Sequence, residues 1–138
     1  MTFKIISIDH VAVATKNIKT LENLFVNILG MDSSRKEFVV DENVDVIKIY
    51  PDNKSTAVEL LEAKNKDSVI EKYIDSKGEG IHHIALNVDN ILNAINFLKS
   101  KGVHLVYEKP NLGAGNKLIT FIHPKSSPGM LIELCQKV

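Results

Sequence analysis

The sequence predicts an α+β domain made of two β-α-β-β-β modules, and three observations carry that prediction. The chain repeats itself: Asp9-His10-Val11-Ala12 returns as His82-His83-Ile84-Ala85, and Asn17-Ile18 as Asn90-Ile91, both shifted by 73 residues. Val58-Glu59-Leu60-Leu61 returns as Ile132-Glu133-Leu134-Cys135, shifted by 74. Within each half the apolar pattern switches from alternation to helical spacing and back to alternation. Finally, 138 residues are one domain's worth of chain, enough for a core without staples. A repeat of roughly 70 residues is too long for a solenoid unit, so two copies read as paired modules of a single domain spanning 1–138.

Residues 5–14 alternate and are rich in β-branched types, which predicts a strand. Ile8, His10, Ala12 and Ala14 share one face of it, and Asp9, Val11 and Val13 share the other. From Asn17 to Leu29 apolar residues at 18, 21, 24, 25, 28 and 29 have helical spacing, with Asn17 as N-cap and Gly30 as stop. Strands follow around 36–40, 44–50 and 56–62, broken by the Pro51-Asp52-Asn53 turn. Module one therefore covers about 5–63, and 64–80 is a connector. In the connector Asp67 or Ser68 caps a short helix that Gly78 ends. Module two, about 81–137, repeats the order: strand 81–88, helix 90–101 stopped by Gly102, then strands 103–107, 117–122 and 130–136. Pro110 to Gly115 reads as a loop whose two glycines suit a mobile or close-approaching backbone.

The bulk composition excludes several classes of function. It is that of a soluble globular protein, 44% hydrophobic and 25% charged, and seventeen basic residues cancel seventeen acidic ones. Nucleic acid and anionic membranes are thereby unfavoured as partners. Cys135 is the one cysteine, so neither an internal disulfide nor a Cys-rich zinc site can form. No apolar run approaches the roughly 18–20 residues of a membrane helix. The start, Met1-Thr2-Phe3-Lys4, lacks a secretory pattern. A cytoplasmic, reducing location is expected.

The repeat also carries a functional statement. Register superposes His83, not His82, on His10, and pairs Ala12 with Ala85, so a small residue follows each histidine on its face and leaves space for a ligand. Glu59 and Glu133 stand at matching places amid apolar strand residues, where a carboxylate costs several kcal/mol to desolvate without compensation. One strand glutamate is commonly just solvent-facing; the same position filled twice points to a role. Two imidazoles and two carboxylates suit a divalent Zn, Co, Ni, Mn or Fe ion, and the donor set alone does not choose among them.

IDHVAVA, GEGIHHIAL and FIHPKSSPGMLIELCQ, together with EKPNLGAG and ELLEA, resemble the methylmalonyl-CoA epimerases of the vicinal-oxygen-chelate, or glyoxalase-like, superfamily, over essentially the whole chain. HHIA followed by HPKS and a terminal LIEL is the specific part. The resemblance implies paired βαβββ modules in a cupped mixed sheet around a metal site, a homodimer, an acyl-CoA substrate and one divalent metal ion. It carries His10, His83 and Glu133 onto metal-ligand positions, and Glu59 onto the fourth, where some members have glutamine. The implied chemistry is inversion at the carbon between a thioester and a carboxylate, through a metal-chelated enolate. Glu133 is the expected proton carrier on one side. On the other side the chain departs from the family: the position on strand 44–50 where some epimerases have a glutamate reads Val46. Lys48 shares its face and is the candidate substitute; Asp45 lies on the opposite face. Lys125, in His123-Pro124-Lys125-Ser126, is a candidate contact to a CoA phosphate.

Three rivals share the fold. Glyoxalase I, a lactoylglutathione lyase, uses a similar ligand set, but many glyoxalases carry a DPDG-like turn where this chain has HPKS. An extradiol dioxygenase needs the open coordination position that Glu59 would fill. A metal-free binding module has no use for four ligand-type residues at repeated positions.

Overall fold

A computed structural model describes residues 2–138. The chain divides into two compact units, His10–His82 in one and His83–Val138 with the residues up to Asp9 in the other.

The first unit holds the end of β1 (Ile5–Ala14), then α1 (Ile18–Glu22), β2 (Asp32–Ser33), β3 (Glu37–Val39), β4 (Val44–Tyr50), β5 (Ala57–Ala63) and α2 (Val69–Lys77). β1 runs parallel to β5, β5 antiparallel to β4, and β2 and β3 both line the far edge of β4. One sheet face carries Val13, Ile47, Ile49, Val58 and Leu60, which pack with Ile18, Leu21, Phe25 and Val26 to form this unit's core. Asn17 caps α1 as expected, accepting from the Thr20 N–H at 3.3 Å.

The helix departs from expectation after Glu22, where a π-helical segment, Asn23–Ile28, replaces the regular turn. The Leu29 N–H reaches back five residues to the Leu24 carbonyl at 2.9 Å. The wider turn rotates the apolar stripe. Phe25 and Val26 stay on the core, whereas Leu24, Ile28 and Leu29, also expected inward, stand exposed.

The second unit contains β6 (Gly80–Val88) from His83 onward, α3 (Ile91–Ser100), β7 (Asn111–Gly113), β8 (Lys117–Ile122) and β9 (Ile132–Lys137). β6 runs parallel to β9, β9 antiparallel to β8, and β8 antiparallel to β7. Its core is Phe3, Val88, Ile91, Ala94, Ile95 and Leu134, with a second cluster of Ala85, Ile119, Phe121 and Cys135 on the other face. Two corrections fall here. Residues 103–107, expected as a strand, make a single bridge, Leu105 to Ile122. The expected loop instead supplies β7, because glycine at 113 lets the chain close onto β8: a Cβ there would lie 2.8 Å from Ile119 Cδ1. Among the described residues no helix is long and apolar enough to cross a membrane.

Both units close their first helix with the same device. Glu62 on β5 accepts from the Ile18 N–H at 2.8 Å, and Gln136 on β9 accepts from the Ile91 N–H at 2.7 Å. Each ties a helix N-terminus to the strand that bears the unit's glutamate, three residues beyond it.

Candidate metal centre

In each unit a histidine and a glutamate meet on the sheet face opposite the helices. His10 Nδ1 lies 3.2 Å from Glu59 Oε2 in the first, and His83 Nε2 lies 3.0 Å from Glu133 Oε1 in the second. All four are buried, at 2%, 4%, 5% and 5% relative exposure in the order named.

Strand register explains why each pair forms. In the first unit Ala12, not His10, is the Cα partner of Glu59, and His10 faces Ala57. In the second Ala85 is the partner of Glu133. Each glutamate therefore leans diagonally past an alanine to the histidine two residues before it. The alanines are fully buried. Their small size leaves room for this diagonal approach.

Lys48 is the Cα partner of Glu59 on the next strand, so it shares the face of the His–Glu pair and is half-buried there. Val46 shares that face too, fully buried, and the exposed Glu37 sits across from it on β3. Asp45 points to the other face, where Lys64 Nζ approaches it to 3.7 Å. His82 stacks edge-on against Tyr73, with ring centroids 4.6 Å apart. His83 meets Phe121 edge-on at 5.4 Å, which holds the imidazole plane. Lys125 lies on an exposed turn whose backbone N–H donates to His123 Nδ1 at 3.0 Å.

The sequence reasoning missed a part-buried ion pair in the second unit. Lys117 Nζ lies 2.6 Å from Asp9 Oδ2. The partners are 108 residues apart, and no periodicity announces them.

The Glyoxalase/Bleomycin resistance protein/Dioxygenase superfamily matches residues 9–121. The chain belongs to that superfamily. Among its members the chain is 36% identical over 131 residues to the mitochondrial methylmalonyl-CoA epimerase of Dictyostelium discoideum, covering 94% of this chain and 78% of the relative. The crystal structure of methylmalonyl-CoA epimerase from Mycobacterium tuberculosis superposes with a TM-score of 0.94 at 30% identity, covering all of this chain and 92% of the other. A methylmalonyl-CoA epimerase in complex with methylmalonyl-CoA and ammonium superposes with a TM-score of 0.91 at 27% identity, covering 98% and 96%. The resemblance read from HHIA, HPKS and LIEL is thus borne out, and so is the α+β fold of two βαβββ modules, which this glyoxalase-superfamily chain shares with those epimerases.

Proposed function

We propose that this protein is a divalent-metal-dependent epimerase of methylmalonyl-CoA. The observation that carries the reading is the duplicated, buried His–Glu pair, at one register in both modules of a chain whose relatives are methylmalonyl-CoA epimerases. His10, Glu59, His83 and Glu133 are the proposed ligands of one ion.

The donor chemistry fits such an ion. Two donors each about 2.1 Å from a metal stand about 3 Å apart at octahedral angles and about 3.4 Å apart at tetrahedral ones, and the two pairs are 3.2 and 3.0 Å apart. Buried carboxylates are costly without a compensating cation. Cobalt, zinc, nickel and manganese all suit four N/O donors. A bound divalent ion supplies Lewis-acid stabilisation for the negative charge that develops when the α-proton leaves.

The chain's own residues do the rest. Glu133 carries the α-proton on one face of the substrate, and Lys48, on the ligand-bearing face beside Glu59, carries it on the other. Inversion follows when one removes a proton and the other returns one. Phe121, packed on His83, shields this side from water. A homodimer in a reducing, cytoplasmic compartment belongs to the same proposal. Sedimentation velocity is expected to give twice the 15.4 kDa chain mass.

The test is reconstitution with cobalt, addition of methylmalonyl-CoA in heavy water, and mass spectrometry of the α-carbon. Deuterium uptake that a chelator abolishes is expected. No uptake by protein with about one metal bound per chain rejects the substrate, and turnover of the glutathione–methylglyoxal hemithioacetal would then assign lactoylglutathione lyase chemistry.

A further inference from the structure

We propose that Lys117 recognises the free carboxylate of the substrate, and so sets a preference for malonyl-type thioesters over simple acyl thioesters. The inference rests on the epimerase reading above.

Register puts Lys117 on the working face of the second unit. Phe121 is the Cα partner of Glu133, Ile119 of Cys135 and Lys117 of Lys137, so Lys117 follows Phe121 and Ile119 down one face of β8. Its ammonium is far from an ordinary surface lysine: the side chain is only 16% exposed and lies 2.6 Å from Asp9, itself 21% exposed. Asp9 immediately precedes the proposed ligand His10. The pair therefore brings a cation to the strand that also carries that proposed ligand.

The backbone before Lys117 is set for this placement. Gly113 packs against Ile119 too closely for any Cβ, and Gly115 and Asn116 turn the chain through the left-handed region at φ 69° and 58°. Lys117 is the first residue of β8 after that turn.

An ion pair in this setting adds little stability, because desolvation offsets its attraction. Recognition is a better account. An ammonium has three N–H donors. An incoming carboxylate joins or displaces the acceptors it already has, whereas a thioester lacking a carboxylate gains nothing from it. Asp9 orients the ammonium until then.

The experiment compares methylmalonyl-CoA with propionyl-CoA, which lacks the carboxylate, by calorimetric titration of cobalt-loaded protein. Wild type, Lys117→Met, Lys117→Arg and the double variant Asp9→Asn/Lys117→Met are titrated, the last because it leaves no uncompensated carboxylate if the single variant folds poorly. Lys117→Met, or the double variant, is expected to bind methylmalonyl-CoA about 10- to 100-fold more weakly. Propionyl-CoA affinity and cobalt content are expected to hold, and Lys117→Arg to keep most of the preference. Equal weakening for both thioesters, or none for either, overturns the inference and leaves the pair a tie between strands. Deuterium exchange by wild type separates the two proposals: with exchange present and selectivity unchanged in the variants, only the role of Lys117 falls. With exchange absent in wild type, both fall.

Discussion

The two units build the same buried pair from different materials. In the first, His10 offers Nδ1 to Glu59 on a sheet face that also carries Val46 and Lys48. In the second, His83 offers Nε2 to Glu133 and leans on Phe121. Different ring nitrogens mean that the imidazoles enter the pair from different directions, although strand register and flanking alanines match. The donor types and their register match between the units, and the surroundings differ. Glu133 sits beside a rigid aromatic platform. Glu59 has a lysine as its cross-strand partner.

Several substitutions would break or sharpen that contrast. The largest effect is expected from Glu133→Gln set against Glu59→Gln, both measured by α-deuterium exchange. Losing a proton carrier should cut exchange by about 10²–10⁴-fold in the first, while the second, if Glu59 only ligates, should retain exchange to within about tenfold once cobalt is saturating. Equal losses would mean that the units are functionally equivalent.

Next come the alanines. Ala12→Leu and Ala85→Leu put bulk beneath the diagonal approach of each glutamate, and both should destabilise the fold by about 1–3 kcal/mol in urea unfolding. A fully tolerated leucine at either site would remove the steric account of the pair.

Smaller again are the helix caps. Asn17→Ala and Asn90→Ala should each cost about 1 kcal/mol. The N–H to Oδ1 distance is 3.0 Å at Asn90 and 3.3 Å at Asn17. Asn90 also caps the regular helix, so its loss should be the greater in thermal melts.

The smallest effect belongs to Glu79, beside the end of β1 in the first unit. It accepts from the Lys16 N–H at 2.6 Å and from Thr15 Oγ1 at 3.2 Å. The backbone bond from Lys16, then that from Thr15, hold its pKa below the ordinary glutamate value. A depressed carboxylate pKa stabilises the fold above the unfolded-state value, and that contribution disappears as pH falls through the folded value. Glu79→Gln should thus be slightly less stable than wild type at neutral pH, and the gap should close under acid. A gap that persists or widens under acid would contradict this assignment.

Much of the architecture was legible in the residues because it is encoded locally. Period-two runs at 5–14, 44–50 and 81–88 became β1, β4 and β6 with edges within a residue, Asn17 caps its helix, and Ser68 rather than Asp67 caps the connector helix. The matching places of His10 and His83 and of Glu59 and Glu133 followed from the repeat; which histidine meets which glutamate is set by strand pairing. Glu62 and Gln136 were legible too, through the same 74-residue shift that links the glutamates, and went unread because one is charged and the other is not.

What the sequence determined by itself is strand alternation, caps and glycine turns, which depend on neighbours a few residues apart, and the matched places of two histidines and two glutamates in the repeat. Tertiary structure alone decided the π-turn after Glu22, the choice of β7 over residues 103–107, the ring nitrogen each histidine presents, and the joining of Lys117 to Asp9. Those outcomes turn on contacts between segments distant in the chain. Packing energies there outweigh local propensity, and no short-range pattern records them.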